Sequence, residues 1–452
     1  MDVLDQISSS ARQDASCLHC DGYILDWIAG RNSNVSVSVE RCGLSEMHSW
    51  FYDKAQGRIR NSQSSFFQVS GLRHCIGGKD DVTQPIILQN EIGFLGIIAK
   101  SISGSIHFLM QGKIEPGNIN KVQLSPTVQA TKSNFMQMHG GRRPEYLDYF
   151  MQAKKFQIVV DQIQSEQASR FFKKRNRNML IVVEDEVPIK EGFIWVNVGQ
   201  LKRLLRRDNL VNMDTRTVLS GIPFSGLSNV SSRLPSRRFA LNPHDFEVER
   251  ALNALNDRKM FLESESRLIS LNELEGWDIS DYSIKSVTPY EFEVIFASIS
   301  IEGREVRSWD QPLFAASGRL TIAAVVAKIR GELRMLVRLV SEPGNFDGVE
   351  FGPTVQYHPS QRMSGLDGVE QLALMKCEDP QSILYDVILS EEGGRFFHEE
   401  NRNVIVEVSA HEVADLSGSY QWMTLGSLWQ LIRFGSTVNI QLRNLVSLIE
   451  FE

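Results

Sequence analysis

Leu109-Met110-Gln111-Gly112-Lys113-Ile114-Glu115-Pro116-Gly117-Asn118, followed by Val122-Gln123-Leu124-Ser125-Pro126-Thr127-Val128-Gln129-Ala130-Thr131, decides how this chain is built, because parts of it are written twice. Glu342-Pro343-Gly344-Asn345 repeats the turn at an offset of 227 residues (342 − 115). Pro353-Thr354-Val355-Gln356 repeats Pro126-Thr127-Val128-Gln129 at the same offset. Working outward, Gln84-Pro85 returns as Gln311-Pro312, Trp50 as Trp277, Trp195 as Trp422, Asn212 as Asn439 and Arg216 as Arg443. Asn176-Arg177-Asn178 returns as Asn401-Arg402-Asn403 at 225 (401 − 176), which a two-residue deletion in the second copy explains. Solenoid repeats run at ~20–50 residues, so a period this long means two whole domains. We place them at residues 1–230 and 231–452. The seam falls near Ser225 to Pro243, where Ser, Gly, Arg and Pro displace periodic apolar residues. A helix over His244–Ser264 then opens the second copy.

Each copy reads in one order. In copy one a helical N-terminal region precedes strands at Phe66–Cys75, Glu91–Lys100, Ser105–Glu115 and Val122–Thr131. A helix over Asp161–Lys174, a strand at Asn178–Val183, and helices at Val198–Arg207 and Asp214–Ser220 follow. Strands grouped together with helices at the ends predict an α+β fold, a tandem αβα module with a mixed β-sheet.

The bulk properties narrow the function. With 42% hydrophobic and 23% charged residues the chain is ordinary globular material. A net charge of −7 argues against a general nucleic-acid binder. No stretch reaches the ~18 apolar residues of a membrane helix, and Met1–Ser10 has no apolar core like that of a signal peptide. The five cysteines, few and odd in number, fit a reducing compartment. We therefore expect a cytoplasmic protein without nucleic-acid or membrane partners.

Side chains alternate along a strand. On Ser105–Glu115 this puts Ile106, Phe108, Met110 and Ile114 on one face with Gly112. His107, Gln111, Lys113 and Glu115 fall on the other, with Leu109. Gln123, Ser125, Thr127, Gln129 and Thr131 share one parity on the next strand, where Pro126 can shift the register. Such a stripe fits a solvated sheet face or a pocket lining. Glu-Pro-Gly-Asn fits a turn, with Pro fixing φ and Gly supplying positive φ. Turn geometry does not require the Glu. Glu166 and Arg170, four apart on the expected helix, suit an ion pair. Lys173, Lys174, Arg175 and Arg177 suit a solvated helix end or a diphosphate clamp. Arg216 beside Asn212 suits a buried structural arginine or a ligand contact. Cys17-Leu18-His19-Cys20 lacks a second CxxC, so no metal site is expected. His139 stands in a Gly-rich loop. No GxGxxG, P-loop, GxSxG or HExxH is present.

Taken together, several strings resemble the NDP-hexose 2,3-dehydratases of deoxysugar biosynthesis. These are Gln84-Pro85-Ile86-Ile87, Glu91-Ile92-Gly93, the run from Leu109 to Asn118 and on from Val122 to Thr131, Gln164-Ser165-Glu166-Gln167, Arg175-Asn176-Arg177-Asn178 and Asp208-Asn209-Leu210-Val211-Asn212-Met213. The resemblance covers most of the chain from about Trp50 onward. It implies a homodimer of duplicated chains, each copy folded like a Nudix-superfamily domain. It implies a substrate that is a nucleotide-linked, usually dTDP-linked, 4-keto-6-deoxyhexose. The C2 hydroxyl leaves as water, and a 3,4-diketo-2,6-dideoxy sugar passes to a downstream 3-ketoreductase. No Nudix box is recognisable here, so the fold would be borrowed without its hydrolytic chemistry.

That chemistry assigns expectations to residues. The 4-keto group acidifies the C3 hydrogen, so a base, an oxyanion donor and an acid for the C2 hydroxyl are needed, with no cofactor required in principle. Glu115 and Glu166 suit base or acid, Lys113 suits the enolate or a proton donation, and His139 is a further candidate. Gln111, Gln123, Ser125, Thr127 and Gln129 suit sugar hydroxyls. Arg175, Arg177 and Arg216, with Asn212 nearby, suit the diphosphate. In copy two Lys113 becomes Val340, Gln123 becomes Glu350, Ser125 becomes Gly352 and Arg175 becomes Glu400. Copy one is therefore expected to carry the catalytic pocket. A non-catalytic nucleotide-sugar binder and a Nudix-type hydrolase are the alternatives.

Overall fold

The structure is a computed structural model. It describes the chain apart from residues 1–2, 13–14, 64–65, 77–81, 132–142, 225–238, 240, 242, 303–305, 414–415 and 451–452. His139 and most of the expected seam lie outside the described residues. The fold is mixed α and β, built on two seven-stranded sheets with the same topology. In copy one the order is Ile158–Ser165, Arg175–Val182, Gly93–Ile102, Ser105–Ile114, Phe193–Asn197. In copy two it is Ile383–Ser390, Glu400–Val408, Thr321–Ile329, Glu332–Val340, Tyr420–Met423. Arg175–Val182 pairs parallel with Gly93–Ile102 while the neighbouring pairs are antiparallel, so the sheet is mixed as expected.

The expected strand Val122–Thr131 is broken in two. Val122–Ser125 pairs with Ser105–Ile114, and Val128–Ala130 crosses to pair with Gly93–Ile102. Pro126 has no N–H to give a ladder, which makes it a natural switch point. The Thr127 hydroxyl fills the gap, donating to Leu109 O at 2.5 Å and accepting from Ile98 N at 2.9 Å. Thr354 repeats this in copy two, bonding Leu336 O at 2.6 Å and Val325 N at 2.9 Å.

The expected helix over Asp161–Lys174 does not form. Ile158–Ser165 is a strand, paired antiparallel with Arg175–Val182, and a turn-rich loop joins them. Pairing with a distant strand outweighs any local preference for helix here, and with the helix goes the expected i, i+4 placing of Glu166 and Arg170. The helices Val198–Leu204, Met213–Ser220 and Asp245–Phe261 form near their expected positions.

The two copies exchange strands. Val37–Arg41 pairs with Phe292–Ile301 of copy two, and its counterpart Ser264–Ile269 pairs with Gln68–Ile76 of copy one. Both junctions place apolar partners together, such as Val39 against Ile299 and Leu268 against Leu72. One continuous apolar core then runs through both copies, from Leu95, Phe108 and Val196 to Ile322, Met335 and Leu428.

Helices Met213–Ser220 and Ile440–Ser447 pack on each other with reciprocal contacts. Arg216 Nε donates to Asn444 Oδ1 at 3.2 Å, and Arg443 Nε donates to Thr217 Oγ1 at 3.1 Å. Positions 216 and 217 match 443 and 444 in the repeat. Each copy thus does to the other what is done to it, the mark of a two-fold interface, here within one chain.

Candidate active site

The alternation expected for Ser105–Ile114 holds. Ile106, Phe108, Met110 and Ile114 enter the shared core, while Leu109 packs on the opposite side. The polar stripe is not a solvated face, because Glu115, Gln123, Ser125 and Thr127 are all buried. Lys113 Nζ stands 3.1 Å from Glu115 Oε1. Gln129 Nε2 donates to the same oxygen at 3.3 Å, and Asn212 Nδ2 donates to Gln129 Oε1 at 3.3 Å. Asn212 also caps the helix Met213–Ser220 by accepting from Thr215 N at 2.9 Å.

The Glu-Pro-Gly-Asn turn explains its own repetition. Gly117 does not have positive φ, so the expected reason for the glycine is replaced by another. Gly117 N donates to Gly393 O at 2.8 Å and Gly117 O accepts from His398 N at 2.9 Å. A Cβ on Gly117 would run into the backbone oxygen of Phe396. In copy two, Gly344 N donates to Ala168 O at 2.7 Å, Lys173 N donates to Gly344 O at 2.7 Å, and a Cβ would meet Phe171 O. Each turn is gripped by the loop of the other copy, at a distance only glycine allows.

Each Glu-Pro-Gly-Asn site is therefore completed from the opposite copy. Around Glu115 gather Glu166, Asp214 and, from copy two, Glu392. Burial is the main cause of the raised pKa of the last three, and their mutual repulsion adds to it. Glu166 and Glu392 are each pushed up to about 7. Asp214 is pushed well above the usual carboxylate range. Lys113, Lys174, Arg395 and Arg443 supply the opposing charge. Asn176 Nδ2 donates to Glu166 Oε2, as Asn401 donates to Glu391 Oε1 in copy two.

The second pocket is a cavity of about 230 Å³, lined by Glu291, Glu342, His358 and Glu399 with Gln167 and Arg170 from copy one. Burial and the charge of Glu350 push Glu342 up to about 7. Arg170 does not pair with Glu166. It reaches Glu291 at 3.1 Å and Glu399 at 3.5 Å, and lies 4.2 Å over the Phe292 ring.

Other expected site residues are engaged elsewhere. Arg216 is fully buried and donates to Val211 O at 2.7 Å and Ser390 O at 2.6 Å, while Arg443 donates to Val438 O and Ser165 O. Arg177 makes a two-point pair with Asp161, both bonds at 2.6 Å, and Arg402 pairs with Asp386 in the same way. Gln123 bridges Asn120 and Ser390. Both bonding capacities of the Thr127 hydroxyl lie within the sheet. Arg175 is half-buried, stacked 3.6 Å from the Phe346 centroid, and its Nε has no hydrogen-bond partner among the described residues. Gln111 lies opposite Ser125 across the Ser105–Ile114 and Val122–Ser125 pair. Sequence reasoning missed Glu392, Asp214 and Lys174 as members of the copy-one cluster. Glu392 falls at Gln167 of copy one, a substitution visible in the alignment of the copies.

Among the described residues, no group of three His, Cys, Asp or Glu side chains is placed to hold a metal, and no helix is long and apolar enough to cross a membrane. Carboxyl groups that titrate near neutrality beside a lysine form a site of the acid–base class. Comparison with known proteins narrows the class. A sequence model described as NDP-hexose 2,3-dehydratase matches residues 21–222 and again 248–449, so the chain carries a duplicated domain. A relative from Saccharopolyspora spinosa, named dTDP-4-dehydro-6-deoxy-alpha-D-glucopyranose 2,3-dehydratase, is 38% identical over 96% of this chain and 93% of its own length. Proteins of the same name from Streptomyces violaceoruber (38%, over 94% of this chain and 95% of that protein) and Amycolatopsis orientalis (34%, over 99% and 94%) agree. The chain belongs to the NDP-hexose 2,3-dehydratase family. It is a hydro-lyase acting on nucleotide sugars in deoxysugar biosynthesis.

Proposed function

We propose that the copy-one pocket removes the C2 hydroxyl of a dTDP-4-keto-6-deoxyhexose as water, leaving the 3,4-diketo-2,6-dideoxy sugar. The observation that carries this assignment is the Lys113–Glu115 pair at 3.1 Å inside a buried carboxyl cluster, where copy two has Val340 in place of the lysine. Glu115 takes the C3 proton, and Lys113 steadies the negative charge that develops on the C4 oxygen. Burial strengthens both effects by excluding water from competing. Gln129 holds Glu115 in position through the Asn212 cap. Glu166 belongs to the same electrostatic unit and keeps a proton near neutrality. Arg175 serves the diphosphate, since its guanidinium rests on the Phe346 face and its Nε has no hydrogen-bond partner among the described residues.

The wider setting is part of the same reading. Each copy takes a Nudix-like fold, the chain works as a homodimer in the cytoplasm, and a 3-ketoreductase consumes the diketone. To test the reaction, the protein is incubated with dTDP-4-keto-6-deoxyglucose, a 3-ketoreductase and NADPH, and the products are weighed by mass spectrometry. Loss of one water that depends on this protein supports the reading. Substrate recovered unchanged, from folded protein that does bind it, sinks the reading.

A further inference from the structure

The segment Glu391-Glu392-Gly393-Gly394-Arg395 belongs to copy two by sequence but sits on the copy-one turn. A Cβ on Gly393 would collide with Asn118 Oδ1 and stand 3.1 Å from Glu115 Cβ, and one on Gly394 would stand 3.4 Å from Glu115 Oε1 and collide with Glu392 Oε1. The carboxyl groups of Glu115 and Glu392 therefore border the same small space. Gly394 leaves that space unfilled, where copy one has Ser169, and Gly393, at Ala168 of copy one, makes room for Asn118.

The two oxygens of Glu392 differ. Oε1 accepts from Gly394 N at 2.8 Å, whereas Oε2 is buried with no hydrogen-bond partner among the described residues. A buried carboxylate oxygen without a donor is costly, and a proton on it removes the cost and creates a donor for a ligand. The environment favours that proton, since burial and the nearby Glu115 charge act in the same direction. In the other pocket the same position is Gln167, whose amide donates to Glu391 and has no acidic proton to deliver.

We propose that Glu392, reaching across from copy two, is the general acid that protonates the departing C2 hydroxyl in the copy-one pocket. This rests on the dehydratase reading above, with Glu115 as the base. Glu115 takes the C3 proton, and the C3–H electrons form the enolate with the C4 carbonyl. The enolate collapses to restore C4=O, C2=C3 forms, and the C2–O bond breaks as the oxygen takes the Glu392 proton and leaves as water. The enol at C3 then returns its hydroxyl proton to Glu392, and C2 takes the proton held by Glu115. One water is lost and both carboxyl groups are reset.

The test separates the two carboxyl groups by isotope. In D2O the base alone suffices to exchange the C3 hydrogen of the substrate, whereas loss of water needs the acid as well. Glu392→Gln keeps the shape and an acceptor for Gly394 N. It is expected to lower dehydration at least 100-fold while still washing deuterium into C3, with an unchanged KM and no loss of melting temperature. Glu115→Gln is expected to lose exchange and dehydration together. Glu392→Asp is expected to recover part of the dehydration lost in the glutamine variant. Dehydration by Glu392→Gln within threefold of the unaltered protein overturns the proposal. Loss of exchange in the folded Glu392→Gln variant also overturns it, by making Glu392 the base. If the unaltered protein neither exchanges nor dehydrates, the dehydratase reading itself fails.

Discussion

The two pockets share a frame and differ in charge. Glu115, Thr127, Gln129, Asn176, Asn212 and Arg216 have counterparts in Glu342, Thr354, Gln356, Asn401, Asn439 and Arg443, and most of the hydrogen bonds among them recur. Against that frame, Lys113 faces Val340, Asp214 faces Gln441, Lys174 faces Glu399 and Glu392 faces Gln167. Residues kept in both copies mostly hold backbone to backbone. The Thr127 hydroxyl bridges a strand switch, Asn212 caps a helix, and Arg216 ties two copies together. Divergence at fixed positions is the better guide to chemistry here, because a duplicated frame leaves one copy free to change side chains that the other still needs.

The comparison can be broken most severely at the level of folding. Residues 1–224 expressed alone lack the strand Ser264–Ile269 and leave Val37–Arg41 without its partner. That half is expected to be insoluble or unfolded by circular dichroism. A cooperative, monomeric half would show that the strand exchange is dispensable. Next comes the pair of matched glutamine substitutions. Glu115→Gln is expected to lower turnover by roughly 10³-fold, within the usual span for a general base, while Glu342→Gln stays within about threefold in the same coupled assay. The reverse result would move the chemistry to copy two.

A smaller effect distinguishes frame from ligand contact. Arg216→Met is expected to cost about 3 kcal/mol in urea unfolding, because it strips buried carbonyls of their donor. The KM of the folded fraction should stay unchanged, whereas a diphosphate contact would raise it. The smallest effect concerns the second pocket in solution. Glu342 is raised to about 7, so at pH 8 it is ionised in both the folded and unfolded chain and burial penalises the folded state. Glu342→Gln should then raise the melting temperature at pH 8. As pH falls from about 7 towards the ordinary carboxylate value, the folded protein takes up the proton and the gain should fade. A gain independent of pH would mean that Glu342 is not held neutral by its surroundings.

Some of this was legible along the chain. The duplication, the mixed sheet, the two faces of Ser105–Ile114 and the proximity of Lys113 to Glu115 follow from offset and alternation, which are local properties. The helix assigned to Asp161–Lys174 failed because local sequence says nothing about a partner strand, and Ile158–Ser165 found one in Arg175–Val182. The reason for Gly117 failed similarly, since the crowding comes from Phe396 of the other copy.

By itself the sequence determined that one module was written twice, that its apolar residues line strand and helix faces, and that copy one kept a lysine beside its glutamate. Tertiary structure alone decided that the copies trade strands, that each turn is clasped by the opposite loop, and that Glu392 joins Glu115. Local periodicity is set by backbone geometry over a few residues, so it can be read in order. Meeting across hundreds of residues is set by which surfaces complement each other after collapse, and no spacing along the chain encodes it.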